Sequence, residues 1–164
     1  MERRFTDQLA QLGSQLQTTD LSKADVARAT LQCCLETLQI QRAGLWLFSD
    51  DDLMTCYMLL DKTRGVTQEA LMIDRWSFPA YFAALDTKNV IRAVDAFNDP
   101  ATAELRDSFL RPMNIRSLLD VPIKLNGKVH GIICCEQTDT LKHWSLEEVT
   151  FVVEVCSLFS ATLR

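Results

Sequence analysis

Ser117-Leu118-Leu119-Asp120-Val121-Pro122-Ile123-Lys124-Leu125-Asn126-Gly127-Lys128-Val129-His130-Gly131-Ile132-Ile133-Cys134-Cys135-Glu136 is the stretch that decides the fold. Two runs rich in apolar and β-branched residues flank Asn126-Gly127, a dipeptide suited to the positive φ angles of a tight hairpin turn. The reading is two antiparallel strands, 117–125 and 128–136. Side chains alternate between faces along a strand, so Leu118 shares a face with Asp120, and Ile132 shares one with Cys134 and Glu136. Asp120 and Glu136 then stand among apolar neighbours. A carboxylate facing a covered sheet needs a partner, either a structural cation or backbone amide, or a bound ligand.

Beyond the hairpin, Ser145-x-x-Glu148 is a capping box that opens a helix over 145–163, apolar nearly all round. Upstream, Ala43-Gly44-Leu45-Trp46-Leu47-Phe48 reads as a central strand entered at Arg42, with Gly44, Trp46 and Phe48 on one face. Segments 53–60 and 66–73 read as two further strands. Pro79 suits the first turn of a short helix over 80–85, and 89–94 returns as a strand. Asp99-Pro100 opens another helix that ends near Arg111-Pro112. At the front, Phe5, Leu9, Leu12 and Leu16 form the seam of a first helix, and a second runs from Lys23 to Leu38. The boundary between an N-terminal helical segment, 1–22, and the main domain, 23–164, falls in the break between these helices. This order with hairpin joints implies an α+β fold, a mostly antiparallel sheet with helices on both faces. The first and last helices carry more apolar surface than one sheet face needs, which predicts a parallel homodimer through them.

A net charge of -5 with scattered basic residues offers no patch for phosphates, which argues against a nucleic-acid partner. No segment approaches the roughly 20 apolar residues of a membrane helix, and residues 1–15 are unlike a signal peptide. Membrane insertion is therefore not expected, and the domain reads as cytoplasmic. The cysteines, Cys33, Cys34, Cys56, Cys134, Cys135 and Cys156, lack C-x-x-C or finger spacing and read as buried free thiols. Neither His130 nor His143 sits in a nucleophile or metal motif. Glycine is never arranged to cradle phosphate. No catalytic residue, metal site or cofactor is therefore assigned. The cluster Trp76, Phe78, Tyr81, Phe82 fits either core packing or a pocket wall.

Three further segments carry a resemblance. They are Gln41-Arg42-Ala43-Gly44-Leu45-Trp46-Leu47-Phe48, Phe78-Pro79-Ala80-Tyr81-Phe82-Ala83-Ala84-Leu85, and Phe109-Leu110-Arg111-Pro112-Met113-Asn114-Ile115-Arg116-Ser117. With the hairpin, Trp144 and the last helix, they make the chain resemble a GAF domain, a sensory module of bacterial signal-transduction proteins. The resemblance implies a six-stranded antiparallel sheet in an α/β/α sandwich, with the terminal helices on one face and a ligand pocket under shorter helices on the other. It also implies that Trp46, Asp120, Cys134 and Glu136 turn toward the pocket, with Arg106 and Phe109 approaching from the fourth helix. Tyr81 and Phe82 complete the expected ligand-binding set.

Where bilin-binding phytochromes carry Cys-His, this chain has Leu105-Arg106, so bilin attachment is not implied. The cyclic-nucleotide signature is replaced by Gln137-Thr138, Trp144 and Glu147-Glu148. The resulting expectation is a non-enzymatic sensor. It would bind an unidentified small molecule and relay its state through the terminal helices to an output domain such as a two-component kinase or diguanylate cyclase. A ligand-free dimerisation module and a thiol reductase using Cys134 or Cys135 are the alternatives.

Overall fold

The computed structural model describes residues 1–67 and 71–164. Two helices lead, α1 (Arg3–Leu16) and α2 (Lys23–Leu38), the second begun by a capping box between Ser22 and Asp25. There follow β1 (Arg42–Asp50), β2 (Leu53–Asp61), β3 (Gly65–Thr67) and β4 (Met72–Asp74). Next come α3 (Pro79–Lys88), β5 (Ile91–Ala93), a 3₁₀ turn (Ala103–Leu105) and a π-helical turn (Arg106–Leu110). The chain closes with β6 (Ile115–Leu125), β7 (Lys128–Thr138) and α4 (Leu146–Ala161), whose capping box is Ser145 with Glu148 as expected.

All strand pairs are antiparallel and run β3-β2-β1-β7-β6-β5, with β4 pairing the other end of β2. The six-stranded path is therefore extended by a seventh short strand among the described residues. The strand expected over 66–73 is instead β3 and β4, and its middle, 68–70, lies outside the described residues. The β6–β7 hairpin turns on Asn126 and Gly127 at φ 54° and 79°, the mirror-image turn that suits strand twist.

Strand alternation divides the core in two. Ala43, Leu45, Leu119, Val121, Ile133 and Cys135 face α1, α2 and α4, while Leu118, Ile132 and Cys134 face α3 and the π-helical turn. The chain is thus an α/β/α sandwich, and adjacent Cys134 and Cys135 separate as the period of two requires.

One premise and one expectation need correction. The seam on α1 closes within the chain: Phe5 and Leu12 are buried, Leu9 and Leu16 pack against the same core, and Phe5 lies 5.4 Å from Phe151 of α4. On α4 only Leu146 and Val153 are exposed large apolar residues, so the apolar excess offered as the reason for a homodimer is mostly covered within the chain. The reason is that α1, α2 and α4 share one sheet face and cover each other's flanks. Trp76, expected in a core or pocket wall, is 79% exposed. It sits in a tight turn closed by Asp74 accepting from Ser77 N–H and Oγ–H, which leaves the indole on the outside.

Candidate functional site

On the α3 side of the sheet lies a cavity of about 230 Å³, floored by β1, β6 and β7 and roofed by α3 and the π-helical turn. Its volume far exceeds the ~15 Å³ that one water needs and approaches the lower end of about 300 Å³ for sites of drug-sized ligands. Most of the wall is apolar, including Trp46, Leu118, Ile132, Phe109 and Leu110. Gly44 makes room for the floor, since a Cβ there would lie 3.2 Å from Trp46 Nε1. Phe109 meets Trp46 edge-on at 6.4 Å and Phe78 at 5.7 Å.

The polar part of the wall is built by register. Arg42 on β1 lies opposite Asp61 of β2 on one side and Glu136 of β7 on the other. Its guanidinium meets Glu136 Oε1 at 2.8 Å and Asp61 Oδ2 at 3.5 Å, all three side chains being buried. Burial opposes the charge on Arg42, but the facing Glu136 and Asp61 outweigh it and its pKa is raised. Burial likewise opposes charge on Asp61, yet amide N–H groups of Thr63 and Arg64, Gln41 and Arg42 together hold its pKa below the ordinary value.

Asp120 stands apart from that triad. It is 2% exposed, and its Oδ2 accepts a 2.5 Å hydrogen bond from the Tyr81 hydroxyl. Cys134, its register partner on β7, has one S–H to share between Glu136 Oε2, 3.4 Å from the sulfur, and Asp120. Asp120 Oδ1 is left without a hydrogen-bond partner among the described residues. Burial pushes the Asp120 carboxyl up to about 7, with Glu136 adding to it and the bonds from Cys134 and Tyr81 opposing it. Burial also raises Tyr81 and Cys134, which keeps both protonated at neutral pH.

Of the expected ligand-facing residues, Trp46, Tyr81, Phe109, Asp120, Cys134 and Glu136 all line this cavity. Arg106 and Phe82 do not. Arg106 donates to the Phe97 carbonyl at 3.2 Å, outside the cavity wall. A uniform α-helix would place residues three apart near one face, but a 3₁₀ turn followed by a wider π turn, closed by Arg111 N–H to Arg106 O at 2.8 Å, changes that phase. Phe82 packs instead between Phe48, at 6.2 Å, and Arg75, at 5.0 Å.

Arg42 and Asp61 are the residues that reading by sequence missed. Arg42 shares the parity of Gly44 and Trp46, so alternation alone could have placed it on the pocket face. Asp61 needed the β1–β2 register.

All six cysteines are buried, and the described residues contain no metal-ligating cluster. Burial pushes Cys33 up to about 12 and raises Cys156, and Cys135 is raised by its bond with Cys34 and by burial. Thiolate chemistry has little support in such surroundings.

A sandwich with terminal helices on one face and a small pocket on the other is the architecture of a class of small sensory modules. The GAF domain family model matches residues 23–163, and the chain belongs to that family. The GAF domain of Acinetobacter phosphoenolpyruvate-protein phosphotransferase is similar over 99% of this chain and 94% of its own, at 14% identity and a TM-score of 0.78. Its counterpart from Coxiella burnetii is similar over 98% and 92%, at 17% identity and 0.77. The chromophore-binding domain of Stigmatella aurantiaca bacteriophytochrome is matched over 98% of this chain and 60% of that one, at 15% identity and 0.76. No curated protein matches the sequence. No helix among the described residues is long and apolar enough to cross a membrane.

Proposed function

We propose that this GAF domain is a sensor that binds a small organic molecule in the cavity, without turning it over, and relays occupancy through the sheet to α1, α2 and α4. The observation that carries the reading is a partly open, mostly apolar cavity holding a buried carboxyl oxygen with no hydrogen-bond partner among the described residues, because an unsatisfied buried acceptor costs about 1–3 kcal/mol that a purely structural core has no reason to bear. The relay follows from alternation: Leu118, Asp120 and Cys134 face the cavity, while Leu119, Val121 and Cys135 touch the helical layer. A shift of β6 or β7 on binding therefore moves both. In a bacterial signalling protein, an output domain such as a kinase or diguanylate cyclase would read that shift.

Native mass spectrometry of the purified domain tests this. The expected result is a non-covalent small-molecule adduct that is absent from Ser108→Trp, a bulky substitution at an exposed residue of the cavity lining. Hydrogen exchange should slow in α4 when the adduct is present. An adduct retained by Ser108→Trp, or an occupied domain whose terminal helices exchange unchanged, would count against the site or the relay respectively.

A further inference from the structure

Resting on the cavity being a ligand site, we infer that its ligand carries a positively charged nitrogen group, an amine or amidine, that donates to Asp120 Oδ1. Three features of the wall argue for this. The inner wall sets three carboxyl groups, Asp61, Asp120 and Glu136, against the single buried guanidinium of Arg42, which is already shared between Glu136 and Asp61. Among the described residues lining the cavity, the other cation is Arg64, exposed, with its Nη1 directed at Met113 Sδ 3.4 Å away. An anionic ligand head at Asp120 would lose its water beside Asp120 and Glu136, with Arg42 already committed to Glu136 and Asp61. A cationic head there meets an unsatisfied acceptor, and the rings of Trp46 and Phe109 on the same wall favour positive charge at their faces.

Size narrows the class further. At about 230 Å³ the cavity itself holds one ring or a short chain with its nitrogen head, and any longer ligand would extend through its open side. The groups facing Asp120 are Tyr81 from α3 and Cys134 and Glu136 from β7, while β5 presents Ile91 opposite it. None of them supplies a cation, so the ligand has to.

Four isosteric probes test the charge class: benzamidine, benzylamine, benzamide and benzoate, titrated by calorimetry into the domain, Asp120→Asn and Ser108→Trp. Benzamidine and benzylamine should bind at pH 8, benzamide more weakly and benzoate not measurably. Asp120→Asn should weaken the cations at least tenfold, and Ser108→Trp should abolish binding. With the Asp120 carboxyl near 7 before binding, cation affinity should be about tenfold lower at pH 6 than at pH 8. Benzoate binding as tightly as benzamidine, or cation binding unchanged in Asp120→Asn, overturns the inference. If no probe binds while a compound co-purifies in a Ser108→Trp-sensitive manner, the cationic class is wrong and the sensor reading stands. If neither is seen, both fall.

Discussion

Asp120 works against the stability of the empty domain, and the direction of that effect can be measured. Its carboxyl sits at about 7 in the native state against 3.8 in the unfolded chain, chiefly because burial disfavours the charged form. Between those values the unfolded chain has released the proton that the native state keeps. Stability therefore falls as pH rises from about 4 to about 7, and levels off above. The loss is at most about 4 kcal/mol. Asp120→Asn keeps an acceptor for Tyr81 and cannot ionise, so its melting temperature should exceed the parent's at pH 8 and converge with it near pH 4. A variant destabilised equally at both pH values would show that the native carboxylate is well accommodated after all. Asp120 and Glu136 were both legible as residues needing a partner, because a carboxylate inside an apolar alternating run announces the problem. That Glu136 finds Arg42 while Asp120 Oδ1 finds no partner among the described residues depends on which strands lie side by side.

At the scale of elements, two glycines in different surroundings predict opposite outcomes. Gly131 on β7 faces β1 so closely that a Cβ would stand 2.1 Å from the Trp46 carbonyl oxygen and 3.0 Å from Leu47 Cα. These are backbone atoms that cannot swing aside, so Gly131→Ala must push β1 from β7 and displace Trp46 from the cavity floor. A loss of more than about 2 kcal/mol in urea unfolding, with weakened probe binding, is expected. Gly13 lies inside α1, where a Cβ would meet only Leu158 Cδ2 at an ordinary 3.7 Å. Gly13→Ala should therefore stabilise by about 0.5–1 kcal/mol, the usual helix-interior difference. Helix ends and the hairpin turn were readable from Ser145-x-x-Glu148 and Asn126-Gly127 because caps and turns are local chemistry. The 3₁₀ and π turns over Ala103–Leu110 were not, since their irregular winding answers to packing beneath them, and Arg106 was misplaced with them.

Over the whole molecule, α1 belongs to the core on the far side of the sheet from the cavity. Leu12 is 2% exposed there, so Leu12→Glu would bury a charge among α1, α2 and α4 with no partner arranged for it. The expected result is a domain several degrees less stable whose mass, by light scattering at the lowest temperature where it is folded, equals the parent's. A parent dimer converted to a stable monomer by this change would instead place Leu12 between two copies.

The sequence by itself determined the α+β class, the hairpin, the capped last helix and which residues of each strand share a face. All of these follow from periodicity and from chemistry within a few positions. It also brought Trp46, Asp120, Cys134 and Glu136 to the pocket face, through alternation and the family resemblance together. Only the tertiary structure decided that Arg42 bridges Asp61 and Glu136, that Arg106 and Phe82 point elsewhere, and that the seam of α1 is spent within its own chain. Those outcomes rest on register between strands distant in sequence and on which helices share a sheet face. A linear pattern can state that an apolar face or a buried charge must be satisfied, but the partner is chosen in three dimensions.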